Sequence, residues 1–325
     1  MGKILVMKLF TSKPFIKQSI FGLCVLMLSC NQKPSAEHQS SSSEVDVTET
    51  KSVKTSSTKT PLSSEFKSYW YAGEAEISSY KLEQARYGEI RQGTAVLIFV
   101  TEDFLPDIQV KADRRNDETI PVLKLNATKN FNTGIYPYSI MQSVFYPVSN
   151  NQHALKLSTS VQEWCGHVYT QLNNKTAFEI ASHSYFQGEA DKHFSLNKSI
   201  LENELWTQLR INPQSLPTGN LQIIPAFEFI RLKHKPLQAY AATATLEADS
   251  YTVHYPELER TLKIMFNPKF PYDILSWEET FSSGFGKQAK SLTTKATKLK
   301  TIKSAYWNLN HNKDDKLRES LHLDS

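Results

Sequence analysis

Glycine is scarce in this 325-residue chain: its 11 glycines are about half of the usual share of roughly 7%. The sequence has no glycine-rich phosphate loop and no dinucleotide-binding fingerprint. It also lacks the nucleophile elbow of α/β-hydrolases and the paired-histidine motif of zinc proteases. These absences exclude the commonest signatures of nucleotide-dependent and hydrolytic enzymes, and we expect no cofactor.

A basic excess is also missing from most of the chain. The 37 basic and 33 acidic residues give a net charge of +4, but residues 1–29 hold four lysines and no acidic residue. The rest of the chain therefore carries 33 residues of each sign. Because the rest of the chain has no net positive charge, it lacks the basic excess that is typical of proteins that bind nucleic acid. We therefore expect no nucleic-acid partner.

The N-terminal segment has the pattern of an export signal. Lysines precede the apolar run Ile20–Leu28, which is followed by Ser29 and Cys30. A positive segment, a short apolar segment and a small residue before the cleavage point define such signals. The run is about half of the roughly 20 residues that a membrane-spanning helix needs. We predict a signal peptide over residues 1–29.

The string from Met27 to Cys30 resembles the lipobox of bacterial lipoproteins, in which the cysteine is lipidated and becomes the new N-terminus. The resemblance implies a membrane partner through palmitate-type acyl chains on Cys30. The non-acidic Asn31 that follows implies the outer membrane, with the protein facing the periplasm. A plain secretory signal with an incidental cysteine is the alternative. In the lipoprotein interpretation Cys165 is the single free thiol of the mature chain, because Cys24 leaves with the signal.

A polar segment follows the lipobox. Residues 30–64 are rich in Ser, Thr, Glu and Lys and almost free of large apolar side chains. Such a segment cannot bury enough surface to offset the entropy of ordering it. As a flexible coil it would span roughly 30 Å. We predict a disordered tether over residues 30–64 and a single β-rich globular domain over residues 65–325.

Apolar residues in the body alternate with polar ones at a period of two, as they do in half-buried strands. The runs include Leu123 and Leu125, Leu155 to Val161, Phe227 and Phe229, Tyr251 to Tyr255, and Leu262 to Phe266. The continuous apolar run over residues 94–100 predicts a central strand. We predict a mainly β fold with roughly ten or more antiparallel strands in a meander that forms an open, barrel-like sheet.

One crossing α-helix is predicted over about residues 199–210. Ser199 and Glu202 have the spacing of a capping box, leucines at a spacing of four form one face, and a proline at position 213 would end the helix. A second, short helix is expected after Asp314, near the C-terminus. We expect the first helix to pack across the opening of the sheet.

The stretch around Cys165 is the most suggestive candidate site. On a continuous strand, Glu163, Cys165 and His167 would project from one face. A three-residue loop at 173–175 would place Cys165 opposite His183 on the next strand. Such a cluster could bind Zn²⁺ or copper, or activate a thiolate nucleophile. The alternative is that Cys165 is a small buried apolar residue, which is the usual state of a free cysteine.

Several segments resemble a group of uncharacterised bacterial lipoproteins. The resemblance is carried by Tyr69–Glu74, Asn126–Phe131, Trp164–His167 and Lys300–Trp307. Members of the group are sometimes labelled septum formation inhibitor Maf. The Ser-rich, Arg-containing phosphate loop of the Maf nucleotide pyrophosphatases has no match in this sequence. The resemblance therefore implies an envelope lipoprotein and supplies no catalytic residues.

Two functional hypotheses follow from these patterns. The first is a lipid-anchored, periplasm-facing envelope protein that binds an apolar ligand or an envelope protein in a cleft of its sheet. The second is a hydrolase or metal-dependent enzyme centred on Glu163, Cys165, His167 and His183. A deep cavity would favour the first hypothesis, and convergence of the last three side chains would favour the second.

Overall fold

One sheet of 16 strands makes up most of the computed structural model, which describes residues 61–149 and 152–323. The strands are β1 (Ala75–Arg86), β2 (Glu89–Leu105), β3 (Val110–Lys111), β4 (Ile120–Thr133), β5 (Tyr136–Pro147), β6 (Lys156–Glu163), β7 (Gly166–Asn174) and β8 (Phe178–His183). They continue with β9 (Lys192–Leu196), β10 (Ile200–Leu201), β11 (Gly219–Ile224), β12 (Tyr240–Leu246), β13 (Ser250–Tyr255), β14 (Arg260–Phe266), β15 (Ile274–Ser283) and β16 (Lys290–Ser304). The predicted signal peptide, the lipobox at Cys30 and most of the predicted tether lie outside the described residues.

Four α-helices accompany the sheet over residues 61–149 and 152–323. They are α1 (Ser64–Trp70), α2 (Glu202–Ile211), α3 (Phe227–Lys233) and α4 (Leu317–Ser320). None of the helices in the described part of the chain is long and apolar enough to cross a membrane. The short C-terminal helix that we expected after Asp314 is confirmed as α4.

The strand order follows the chain in two directions from β1. On one side β2, β4 and β5 to β9 follow in succession, and β3 forms a short pair with β2. On the other side β16 pairs with β1, and the order then runs back to β10. Every pair is antiparallel except β10 with β11. The predicted antiparallel meander is therefore confirmed, with β2 as the central strand expected from its apolar run.

The two ends of the sheet are close to each other in space. Strands β9 and β10 are the ends of the strand order, yet residues 197–199 alone separate them in the chain. A link of this length spans at most about 14 Å. The sheet must therefore curl until its ends approach each other, which gives the open, barrel-like form that the sequence predicts.

Helix α2 confirms the predicted helix but begins later than expected. Residues Ile200 and Leu201 form β10, so the capping box on Ser199 and Glu202 is wrong. The Ser199 hydroxyl donates to the carbonyl oxygen of Gln222 on the neighbouring strand. The carboxylate of Glu204 instead accepts from the backbone N–H of Leu201 at 3.1 Å and caps the helix.

Two buried ion pairs fix α2 to the sheet. Near its N-terminus, Glu202 pairs with Arg260 on β14, and the closest nitrogen and oxygen are 2.5 Å apart. Near its C-terminus, Arg210 pairs with Glu76 on β1 at 2.6 Å. All four side chains are at most 2% exposed. Because these strands lie apart in the sheet, the helix spans the interior and is held at both ends.

Helix α3 replaces a strand that the sequence predicted. The alternation of Phe227 and Phe229 indicated a strand, but both residues lie in a helix and are buried with Ile230. The intervening Glu228 is buried as well, because its carboxylate meets Lys129 of β4. Two alternating residues are too short a pattern to distinguish a strand from a helix that is buried on most of its surface.

The outer face of the sheet has its own small apolar cluster. Leu321 and Leu323, just after α4, pack against Ile77 of β1 and Ile302 of β16. The C-terminal segment therefore covers the central strands from outside, while α2 and α3 cover them from inside. This two-sided cover explains why β2 has apolar residues in succession instead of in alternation.

Candidate functional site

The stretch around Cys165 forms a hairpin turn and not the continuous strand that we expected. Strand β6 ends at Glu163 and β7 begins at Gly166, so Trp164 and Cys165 are the two turn residues. One oxygen of the Glu163 carboxylate accepts from the backbone N–H of Cys165 at 2.7 Å, and the other accepts from the Tyr185 hydroxyl at 2.8 Å. Glu163 therefore stabilises the turn.

The structure does not bring Cys165 and His183 together. The loop between β7 and β8 has three residues, but these are residues 175–177 and not 173–175. This shift pairs His183 with Tyr169, and His167 pairs with Gln162 on the other neighbouring strand. Across the described residues, no group of three or more His, Cys, Asp or Glu side chains is arranged to hold a metal ion.

Cys165 is exposed, so the alternative of a small buried core residue is also wrong. A hydrogen bond to the Glu163 carboxylate raises the pKa of the Cys165 thiol above its ordinary value, because deprotonation would put two negative charges side by side. A reactive cysteine needs the opposite shift. The chemistry of the turn therefore gives no support to a thiolate nucleophile.

A cavity of about 290 Å³ lies between the concave face of the sheet and helices α2 and α3. Its apolar wall includes Leu97, Leu125, Ala127, Val144, Trp206, Phe229, Leu232, Leu262, Trp277 and Phe281. Its polar wall includes Gln84, Lys129, Gln142, Glu202, Asn203, Glu228, Arg260 and Glu279. The cavity is the best candidate for a binding site, because such sites are concave, partly apolar and furnished with a few directed polar groups.

The register of the central strands builds the floor of the cavity. Leu97 of β2 lies opposite Ala127 of β4, which lies opposite Gln142 of β5. On the other side, Trp206 of α2 packs edge-on against Trp277 of β15 with ring centroids 5.3 Å apart. The small Ala127 side chain leaves the space between these walls open.

A hydrogen-bonded network connects the sheet to both helices within the cavity. The Lys129 ammonium lies 2.9 Å from one oxygen of Glu228, and the Gln142 amide donates to the other at 3.0 Å. The side-chain amide of Asn203 on α2 donates to the side-chain oxygen Oε1 of Gln142 at 2.7 Å. Burial would lower the pKa of Lys129, but the carboxylates of Glu228 and Glu279 outweigh it and raise that pKa.

A second network surrounds Arg260. Its guanidinium donates to Glu202 through both terminal nitrogens and to Glu279 through Nε at 2.6 Å. The Tyr255 hydroxyl donates to Glu202 at 2.6 Å. Burial alone would raise the pKa of Glu279, but the charge of Arg260 holds it below its ordinary value. Arg260 therefore forms ion pairs with two carboxylates at once.

The wall of the cavity holds one more carboxyl group than it holds deeply buried cations. Glu202, Glu228 and Glu279 face Lys129 and Arg260. Burial raises the pKa of Glu228 above its ordinary value; Lys129 opposes the shift and Glu279 adds to it. The surroundings of Glu228 therefore make it a weaker acid than an exposed glutamate.

Sequence reasoning predicted a cleft in the sheet but missed the residues that line this cavity, although one signal of them was present. Alternation places Leu125, Ala127 and Lys129 on the same face of β4. A lysine on an otherwise apolar face indicates a buried partner, and the partner is Glu228. The location of that partner on α3 could not be found, because the segment was predicted to be a strand.

The comparisons with known proteins identify no family. No family model matches the chain, and no curated protein matches it. Among solved structures, the chain is similar to a β-barrel-like protein of the domain of unknown function DUF1849 from Brucella abortus. The two sequences are 7% identical, the match covers 71% of this chain and 98% of that chain, and the TM-score is 0.40. A porin-like protein from Bacteroides uniformis has 9% identity, with 69% of this chain and 95% of that chain covered, and a TM-score of 0.20. Similarities at this level assign no function.

Proposed function

We propose that this chain is a lipid-anchored protein of the bacterial cell envelope that faces the periplasm and binds a small amphipathic molecule inside its curled sheet. The observation that carries the binding proposal is the cavity enclosed by the sheet, α2 and α3. Its volume of about 290 Å³ is near the lower limit of the roughly 300–1,000 Å³ that is typical of small-molecule sites. A ligand with one apolar segment fits this volume better than a lipid with several chains.

The composition of the wall favours an amphipathic ligand over a purely apolar one. Aromatic and aliphatic side chains such as Trp206, Trp277 and Leu97 can cover an apolar segment. Lys129 and Arg260 present polar groups to the same space. In the described part of the chain, the buried Oε1 of Gln84 has no hydrogen-bond partner, and Gln84 lines the cavity. This oxygen adds to the polar character of the wall.

The anchoring part of the proposal is supported by the sequence alone. The lysines and the apolar run that precede Cys30 are typical of an exported lipoprotein. Changing Cys30→Ser should abolish metabolic labelling with palmitate and release the protein from the membrane fraction. Labelling that persists in this variant would refute the anchor, and Cys165→Ser is the matched control that should keep its label.

The binding part is tested by identifying the ligand that the protein carries. Protein purified from membranes in mild detergent is extracted with organic solvent, and the extract is analysed by mass spectrometry. We expect a single-chain amphiphile in near-stoichiometric amount. The variant Ala127→Phe fills the cavity floor and should lose that molecule. Equal recovery from the variant would show that the molecule binds elsewhere.

The periplasmic orientation has a separate test. A protease added to intact cells should leave the β domain uncut. The same protease should reach the domain after the outer membrane is permeabilised. Digestion in intact cells would contradict the proposed orientation without bearing on ligand binding.

A further inference from the structure

The mouth of the cavity lies at one end of the curled sheet. Arg86 and Tyr87 approach it from the turn between β1 and β2, Lys233 and Lys235 from the end of α3, and Phe285 from the turn between β15 and β16. The rings of Tyr87 and Phe285 are 5.9 Å apart, and both side chains are exposed. The cavity therefore opens between an aromatic rim and a group of basic residues.

In the part of the chain that the structure describes, Arg86 and Lys233 at the mouth have only neutral hydrogen-bond partners, and the Lys235 side chain has none. Arg86 donates to the carbonyl oxygen of Leu232 at 2.7 Å and to two tyrosine hydroxyls at 3.0 Å. Lys233 donates to the carbonyl oxygen of Ser282 at 2.6 Å. Lys235 is exposed. Within the described ranges, none of the three forms a salt bridge, although thirteen pairs between a lysine or arginine and a carboxylate form elsewhere.

The same three cations are close enough to influence one another. Burial lowers the pKa of Lys233, and the charges of Arg86 and Lys235 lower it further, while the carboxylate of Glu279 opposes the shift without cancelling it. Such a group of like charges raises the energy of the free protein, and an anion placed among them would relieve the repulsion. The mouth therefore differs from the interior, where Lys129 and Arg260 are each paired with carboxylates.

The neighbouring ionisable groups compensate this positive charge only in part, because Glu279 attracts Lys233 but is itself bound to Arg260. His234 lies at the mouth, and its Nδ1 is 2.6 Å from a carboxylate oxygen of Glu189. The Glu189 carboxylate therefore already has a partner. Inside the cavity, Glu202 and Glu279 are both bound to Arg260. A cationic ligand would meet no free carboxylate among the residues that line the mouth.

We propose that the polar end of the ligand is an anion, a carboxylate or a phosphate, held at the mouth by Arg86, Lys233 and Lys235, while its apolar segment occupies the cavity. This inference rests on the proposed function, because it assigns the charge of the molecule that the cavity binds. Arg86 offers a planar guanidinium whose three hydrogen bonds among the described residues all go to neutral oxygens. The two lysines offer flexible ammonium groups that can follow the anion.

The experiment compares ligands that share one chain and differ in the head group. Binding of dodecanoate, dodecyl phosphate, dodecan-1-ol and dodecylammonium to the full-length protein is measured by isothermal titration calorimetry below their aggregation limits. We expect the two anions to bind about tenfold more tightly than the alcohol, which corresponds to one charge-assisted hydrogen bond. The ammonium compound should bind more weakly than the alcohol. The two anions together distinguish a carboxylate site from a phosphate site.

The possible outcomes separate this inference from the proposed function. Equal binding of all four compounds, or preference for the ammonium compound, would overturn the anion site and leave the binding function standing. Failure of all four to bind would refute the amphipathic binding function and the anion site with it. Weakening of anion binding as salt is raised, with the alcohol unaffected, would support the inference, because salt screens charges at an exposed mouth.

A variant pair assigns the effect to the mouth. Lys233→Gln combined with Lys235→Gln should weaken dodecanoate binding about tenfold, while the alcohol binds as before. Lys300→Gln removes an exposed charge on β16 outside the cavity lining and should change the binding of neither compound. Unchanged dodecanoate binding in the double variant would overturn the assignment. Retained binding of the alcohol shows that the cavity has stayed intact.

Discussion

The ion pair between Arg210 and Glu76 provides a severe test of the fold. The two terminal nitrogens of the Arg210 guanidinium donate to the two oxygens of Glu76 at 2.6 and 2.7 Å, and Nε donates to the carbonyl oxygen of Pro271 at 3.0 Å. The guanidinium carbon also lies 5.0 Å from the ring centre of Trp70. Changing Arg210→Met would remove these interactions and leave a buried carboxylate whose one remaining hydrogen-bond donor among the described residues is the Tyr69 hydroxyl.

The expected loss follows from the burial of the pair. Glu76 is fully buried and Arg210 is 1% exposed. Removing one partner of such a pair costs about 3–5 kcal/mol, because an uncompensated charge is left in the interior. The free energy of unfolding of a typical domain is about 5–15 kcal/mol. The single change should therefore remove a large part of the stability, and urea denaturation followed by tryptophan fluorescence would measure it.

A double variant and a control complete the test. Glu76→Gln together with Arg210→Met leaves no buried charge, so it should recover most of the loss. Arg115→Met breaks a pair with Asp103 in which the arginine is 68% exposed, and it should cost less than about 1 kcal/mol. The reasoning is refuted if Arg210→Met costs no more than the control, or if the double variant loses the sum of the two single losses.

Three further predictions concern pH, packing and the free thiol. Burial alone would raise the pKa of Glu76, but Arg210 lowers it below the ordinary value of 4.5. The contribution of this pair to the free energy of unfolding should therefore be fully present above that pH and be lost as the pH falls below it. The loss should be less steep in the Glu76→Gln, Arg210→Met double variant. A Cβ on Gly93 would overlap the backbone of Asn130 on β4, so Gly93→Ala should lower the free energy of unfolding, measured by urea denaturation, by about 1–3 kcal/mol. Gly188→Ala, where the space is open, should have almost no effect. The rate at which Cys165 reacts with a thiol reagent should reach half of its maximum above pH 9.0, since Glu163 raises its pKa, and a midpoint below about pH 8 would contradict this.

The strand pattern was predictable because alternation follows directly from the pleat. The runs at Leu123 and Leu125 and from Tyr251 to Tyr255 lie in β4 and β13 as expected. Helix α2 was recognisable because its leucines recur every four residues. Its first residue was not, because Ile200 and Leu201 pair with β11, a contact between segments that sequence spacing does not reveal.

The candidate site was harder to predict for two physical reasons. First, a hairpin turn at Trp164 and Cys165 interrupts the strand on which Cys165 and His167 were expected to share a face. Second, the loop between β7 and β8 lies two residues later than expected, which moves His183 four positions along its partner strand. The real cavity depends on charges that are buried in pairs between distant segments. Lys129 and Glu228 are 99 residues apart, and neither predicts the other.

Binding to the cavity itself is the central claim and has one direct measurement. An environment-sensitive fluorescent probe with a single acyl chain is titrated into the wild-type protein and into two variants. Ala127→Phe fills the cavity floor, and Ala241→Phe places the same ring on the exposed side of β12 as a matched control. We expect saturable binding to the wild type and to the control, and at least about a tenfold loss in Ala127→Phe. Equal binding to all three proteins, or to none of them, would contradict the account.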